Sequence, residues 1–292
     1  MAKGNLQYQF ARLNFAEKLI AVNVLVFLLV NLIPVLFGSS SDAIMRWFEL
    51  PSDFFSFLSQ PWSVVTYSFF HGGFGHIFWN MIVLYFFGRI FFNLFDQQKF
   101  IAVYFLGVIL GGLLFMLAYN VFPALSNSNV PLIGASAGVT AVLIFICTYI
   151  PNQEVRIIFF NAKLWQVGAF FILKDVVTLA TGSNVGGMFA HLGGALLGYV
   201  YARQLFKGRD IGEGFIKFLN SIGDLFKTKA RKAPLKTVYK KNTTKRTGSK
   251  VDYDKETRQR RIDAILDKIS KSGYESLSQA EKDFLFKAGK ED

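Results

Sequence analysis

Residues 134–150 read GASAGVTAVLIFICTYI, and this stretch separates two very different folds. Gly134, Ser136 and Gly138 form a G-x-S-x-G sequence, which in a soluble hydrolase sits on a sharp turn between a strand and a helix. Here a charge-free segment, Asn120 to Ile133, precedes it, and an uncharged run up to Ile150 follows. The strand-turn-helix context is missing, so the serine reads as the opening residue of a membrane helix. The position still has chemical meaning. The first turn of a helix carries backbone N–H groups without intrahelical partners and the positive end of the macrodipole. A nucleophile placed there has donors for an oxyanion beside it.

The rest of the sequence agrees with a bilayer setting. Of 292 residues, 52% are apolar, far more than a soluble core of this size needs. The apolar residues gather into six stretches, 19–37, 76–95, 99–119, 135–150, 164–180 and 187–206, which we read as helices crossing a hydrocarbon core of about 30 Å. The predicted fold class is therefore an all-α membrane protein, a six-helix bundle. Lys3, Arg12, Lys18, Arg89, Lys99, Arg156, Lys163, Arg203, Lys207 and Arg209 fall on the N-terminal side of these spans, and Arg46 alone falls opposite. The positive-inside rule then predicts a multi-pass protein of the cell membrane with both termini cytoplasmic. No small-residue cleavage site follows the basic N-terminus, so no removable signal peptide is expected. The first outer loop, Gly38 to Gly75, is rich in Trp and Phe and broken by Pro51 and Pro61, which suits the interface and not a span. The single cysteine, Cys147, reads as a small buried apolar residue.

All three histidines stand near the outer ends of spans. His71, His76 and Asn80 follow H-x4-H-x3-N, and the last two share a helix face. On the last span, Ala190, Gly194, Gly198 and Ala202 form a small-residue ridge that lets helix backbones approach in lipid. That ridge is expected to bring His191 against the start of the fourth span, as a base for Ser136.

These residues closely resemble the rhomboid family of intramembrane serine proteases. The resemblance rests on Pro61-Trp62, Thr66, His71, His76 and Asn80, on Gly134-Ala135-Ser136-Ala137-Gly138, and on Ala190-His191 with Gly194 and Gly198, and covers roughly residues 15 to 206. It implies Ser136 as nucleophile and His191 as general base, His76 and Asn80 as oxyanion residues, and His71, Gly134, Gly138, Gly194 and Gly198 as structural residues around the site. It implies a Ser-His dyad without an acidic member, no metal and no cofactor, and single-span membrane proteins as substrates. Lys174-Asp175 in the fifth span falls outside the pattern: we expect Lys174 to snorkel to the surface and Asp175 to be satisfied by a neighbour, with no partner nameable from sequence, in preference to a polar gate residue. The alternative classes are a catalytically silent rhomboid-like binding or quality-control factor, which typically lacks the serine or the histidine, and a metal transporter, which would bring more intramembrane carboxylates.

The predicted organisation is a cytoplasmic N-terminus (1–18), the protease domain (19–206), an amphipathic juxtamembrane helix (207–232), a basic linker (233–256) and a cytoplasmic helical hairpin (257–292). Ile211, Phe215, Phe218, Leu219, Ile222, Leu225 and Phe226 recur with helical period. Residues 233–250 hold six basic and no acidic side chains, the composition of a disordered linker. The hairpin has Ile262, Ile265, Leu266 and Ile269 on one face, a stop at Gly273 and a capping-box start at Ser278 with Glu281; its partner is unknown. Beside a membrane such basic runs meet anionic lipid and not nucleic acid.

Overall fold

The computed structural model describes residues 6–126, 130–157, 160–226 and 250–289. It divides into two compact units, Met1–Thr228 and Lys229–Asp292.

In the first unit a short helix, Leu6–Arg12, precedes six long apolar helices: α1 (Phe15–Leu36), α2 (Phe74–Phe92), α3 (Gln97–Val121), α4 (Ser136–Tyr149), α5 (Leu164–Ala180) and α6 (Val185–Phe206). They match the six predicted stretches, with α1 beginning four residues earlier. The reason is a capping box: Glu17 N–H donates to Asn14 Oδ1 (3.0 Å) while Asn14 N–H donates to Glu17 Oε2 (2.8 Å). Asp96 caps α3 one way only, its side chain accepting from Lys99 N–H (2.8 Å). Four of the six, α1, α2, α3 and α6, are long and apolar enough to cross a membrane. At 22 residues and about 1.5 Å per residue, α1 and α6 each reach roughly the thickness of a hydrocarbon core.

The central element is α4. Every residue from Ala137 to Cys147 is buried, as expected of a helix that is apolar all round and surrounded by others. The closest packing is of α6 on α4 and α3, and small residues make it possible. A Cβ at Gly193 would fall 2.7 Å from Gly111 Cα, and one at Gly198 would fall 2.9 Å from the Phe145 backbone nitrogen and collide with Ala141 O. The predicted ridge therefore faces α4 through Gly194 and Gly198, while Gly193, beside the ridge and outside it, meets α3, so that backbone packs against backbone.

Between α1 and α2 the chain forms short helices over Asp42–Met45, Phe54–Ser59 and Ser63–Thr66 and a 3-10 turn at Tyr67–Phe69. It is held by its own backbone carbonyls: Trp62 Nε1 donates to Trp47 O (2.8 Å), and Thr66 Oγ1 to Phe48 O (2.9 Å). A two-way bridge between Leu50 and Leu132 ties it to the segment that leads into α4.

The sequence reading missed one element. Glu154–Ile157 (β1) and Phe160–Lys163 (β2) pair antiparallel between α4 and α5, so the unit is helical with one small hairpin. The alternation of Glu154, Val155, Arg156 and Ile157 was the available signal.

After α6, α7 (Glu213–Phe226) occupies the predicted amphipathic stretch; 227–232 lie outside the described residues, as does the linker from 233 to 249. In the second unit α8 (Lys250–Ser272) starts seven residues before the predicted hairpin boundary. A 3-10 turn at Tyr274–Ser276 leads into α9 (Gln279–Ala288), whose N-cap is the expected Ser278–Glu281 capping box.

Candidate active site

α4 opens at Ser136 after Ala135, which offers no side-chain cap. Unlike α1 and α3, this helix leaves the N–H groups of its first turn without a capping side chain. The turn that presents Ser136 is fixed from three sides. Gly134 N–H donates to Tyr67 O (3.0 Å), and the Tyr67 hydroxyl in turn donates to Val108 O of α3 (2.7 Å). Ala135 N–H donates to His71 Nε2 (3.4 Å). Gly134 itself has φ +122°, and a Cβ there would lie 2.7 Å from both Cε1 and Nε2 of His76. Glycine is required for its backbone angle and for the ring beside it. Gly138, one turn into α4, leaves room for the Tyr104 ring, which a Cβ would meet at 2.7 Å.

His71 is buried and packs edge-on against His76, with ring centroids 5.0 Å apart. It thus lies behind the serine turn, in contact with Ala135 N–H and the His76 ring. His76 and Asn80 stand one turn apart on α2, and Asn80 Nδ2 donates one of its two hydrogens to His76 O (2.8 Å). The second amide hydrogen remains for a group in the cavity.

A cavity of about 850 Å³ is lined by Ser136, His191, His76 and Asn80 together with Trp79, Thr140, Phe171, Lys174, Asp175 and Met188. The four residues named from sequence thus share one cavity, although they come from α2, α4 and α6. Among the described residues no hydrogen bond joins Ser136 Oγ directly to His191. Gly194 and Gly198 lie on the face of α6 against α4; a Cβ at Gly194 would collide with Ala137 O. These contacts set how near His191 stands to the serine turn.

The neighbour expected to satisfy Asp175 is His191, whose Nδ1 lies 3.1 Å from Asp175 Oδ2. Asp175 is only 1% exposed. Its other oxygen, Oδ1, lies 2.8 Å from Lys174 Nζ but at an angle that makes no hydrogen bond, while Lys174 reaches the surface as expected. The sequence could not give this pairing because it depends on how α5 is rotated against α6. The signal that was present is the carboxylate itself, since an intramembrane acid is expensive unless paired.

At the opposite end of the bundle a second polar group gathers. Tyr201 Oη and Gly212 N–H both donate to Asp210 Oδ1, and Lys99 Nζ stands 3.4 Å from Oδ2. Burial pushes the Asp210 carboxyl up, but the Tyr201 hydroxyl, the Gly212 amide and the Lys99 ammonium outweigh it and hold the group below its ordinary value.

Comparison with known proteins gives two family matches. The rhomboid domain matches residues 58–208, just over half of the chain, and a family of unknown function (DUF6576) matches residues 248–288. Among curated relatives, RHOMBOID-like protein 12, mitochondrial, from Arabidopsis thaliana is 32% identical over half of this chain and 47% of its own length. The human presenilin-associated rhomboid-like protein, mitochondrial, is 32% identical over 63% of this chain and 46% of its own length. The zebrafish presenilin-associated rhomboid-like protein A, mitochondrial, is 30% identical over 47% and 36%. The chain spans less than half the length of these relatives.

Proposed function

Because the chain belongs to the rhomboid family, a membrane-protein family by fold, we propose that it is an intramembrane serine endopeptidase acting through Ser136 and His191. The observation that carries this reading is the common cavity, in which Ser136 at an uncapped helix start, His191, His76 and Asn80 converge from three helices.

In this reading Ser136 Oγ attacks the scissile carbonyl carbon and its proton passes to His191 Nε2. The oxyanion that forms is held by the N–H groups at the start of α4, by His76 and by the free amide hydrogen of Asn80. His191 then returns the proton to the leaving amine as the C–N bond breaks, and activates the water that releases the acyl group from Ser136. His71 and Gly134 keep the serine turn in shape. The substrate class is the one that the family resemblance implies, a single-span membrane protein. The six helices are read as six spans of a multi-pass protein in the cell membrane, with both termini on the side of the basic loops, the cytoplasm.

The test is proteolysis of a panel of single-span proteins by the purified full chain and its Ser136→Ala variant, with products read by mass spectrometry. Cleavage near one end of a span by the native chain and none by the variant is the expected result. Cleavage by Ser136→Ala, or a native chain that neither cleaves nor reacts with a fluorophosphonate at Ser136, overturns it.

A further inference from the structure

We infer that Asp175 is the positioning residue for His191, so that the site is organised as serine, histidine and carboxylate on α4, α6 and α5; this rests on the protease reading above. The family resemblance implies a dyad alone, so the inference comes from geometry particular to this chain.

Three observations carry it. The first is the contact: Asp175 Oδ2 lies 3.1 Å from His191 Nδ1, the ring nitrogen that a base working through Nε2 does not use. A carboxylate accepts and never donates when ionised, so it fixes Nδ1 as the protonated nitrogen and leaves the Nε2 lone pair as the base. The second is burial. Asp175 is 1% exposed in a helix whose one other charged residue is Lys174, and a buried acid in a span is retained only when paired. The third is the division of labour at the carboxylate. Lys174 sits 2.8 Å from Oδ1, outside hydrogen-bonding angles, and its side chain is 46% exposed. It stands beside Oδ1 from the surface side without competing for Oδ2.

The proton bookkeeping is simple. When Ser136 Oγ bonds to the carbonyl carbon, its proton moves to His191 Nε2 and the ring becomes a cation. Asp175 stays ionised throughout, stabilises that cation, and holds the ring from turning toward another acceptor. The other titratable groups around the cavity are His76 on α2, Tyr119 on α3 and Lys174 on α5, with His71 behind the serine turn. None of these supplies a negative charge, so Asp175 is the only carboxylate among the cavity-lining residues.

The experiment compares the full chain with Asp175→Asn, Asp175→Glu and Ser136→Ala in bilayers. It uses cleavage of a single-span substrate, fluorophosphonate labelling of Ser136 and the Nδ1–H proton signal of His191. Asp175→Asn keeps the shape but lets the side-chain amide donate to Nδ1 and stabilise the wrong tautomer. The expected loss in kcat is about 10²- to 10⁴-fold, with KM little changed. The low-field His191 Nδ1–H signal disappears, and the acid limb of the pH–rate profile moves to lower pH because the imidazolium has lost its counter-charge. Asp175→Glu restores part of both. Native kcat, an unmoved pH profile and an unchanged Nδ1–H signal in Asp175→Asn overturn the positioning role while leaving the protease reading intact. If Ser136→Ala still cleaves, the protease reading fails instead, whatever Asp175→Asn does. Should Asp175→Asn fold poorly, Asp175→Glu decides: a folded variant with native His191 Nδ1–H signal and restored labelling supports the role, and one with no labelling and no signal change overturns it.

Discussion

At the Ser136 end of the bundle the helices enclose a cavity of about 850 Å³ with polar groups on its wall, whereas at the other end the same helices close on one another through aromatic rings. There Phe95 packs on Tyr149 at 4.8 Å, Phe91 on Phe100 at 5.3 Å, and Tyr149 lies flat on Phe206 at 4.8 Å. One end keeps a cavity walled by polar groups; the other is filled mainly by rings, with one buried acceptor, Gln204 Oε1, left without a partner among the described residues. The contrast separates what a bundle needs for cohesion from what a site needs for chemistry. Ring packing at the filled end contributes roughly 0.5–1.5 kcal/mol per pair beyond area burial, so the open end can carry uncompensated voids and a carboxylate. Substitutions at the two ends should therefore fail in different ways: loss of turnover with the fold intact at one, and loss of stability with turnover preserved at the other.

The largest expected effect is at the open end. Ser136→Ala, His191→Ala and the double variant should all lose on the order of 10⁴-fold or more in kcat, and to about the same extent, because residues that act as a unit are not additive. Single-turnover kinetics on a cleaved substrate measure this, and losses that multiply in the double variant would break the unit. Melting temperatures should stay within a few degrees of the native protein, since neither residue is part of the ring-packed end.

Next come the glycines that join the two ends. Gly194→Leu and Gly198→Leu place a side chain against the backbone of α4 at Ala137 and Ala141, which must push α6 away and carry His191 with it. Since a misplacement of about 1 Å can cost on the order of 10²-fold in rate, activity should fall at least that far, and stability should fall too. This is the one class of variant that should move both readouts. Native activity in either variant would mean that α6 does not pack as described.

Smaller is the effect expected at the residues proposed to hold the oxyanion. Asn80→Ala and His76→Ala should each lower kcat by about 10- to 1000-fold with KM little changed. If KM carries the whole change, the two residues bind substrate and do not stabilise charge.

How much of this was legible in the sequence differs between the two ends. Ser136, His191, His76 and Asn80 were nameable because each sits in a short motif whose spacing has meaning along one helix, as with the four-residue interval that aligns His76 and Asn80. Asp175 was visible as an anomaly but not as a partner, because its meeting with His191 depends on the rotation of α5 against α6. The Tyr67, His71 and Leu50–Leu132 contacts that hold the serine turn were hidden for the same reason: each crosses more than 60 residues. The hairpin at 154–163 was hidden by length alone. The six helices, by contrast, follow from apolar runs, a property no distant contact can override in lipid.

The smallest expected effect on turnover lies at the filled end, where Asp210 joins Tyr201, Lys99 and the start of α7. We expect this clasp to seat α7 along the membrane surface. Phe215 and Ile216 pack toward the bundle, while Phe218, Ile222 and Leu225 are exposed, and Lys227, Lys229, Arg231 and Lys232 follow in the sequence. Burying the exposed face at the headgroup boundary removes it from water, and each basic residue near an anionic leaflet adds about 1 kcal/mol. Single spin labels along 213–226 in bilayers should show immersion depth oscillating with a 3.6-residue period, and uniform water exposure would refute the seating. Asp210→Asn should damp that oscillation and leave kcat within about twofold, because the clasp is a helix length away from the cavity. The pH dependence has a definite sign. The Asp210 carboxyl titrates below its ordinary value when folded, so its contribution is complete above the unfolded value of about 3.9 and is lost as pH falls through the folded one. The oscillation should therefore persist from neutral pH down to about 4 and fade below it. A fade that begins near pH 6 would assign the seating to a histidine instead, and the only histidines in the chain belong to the other end.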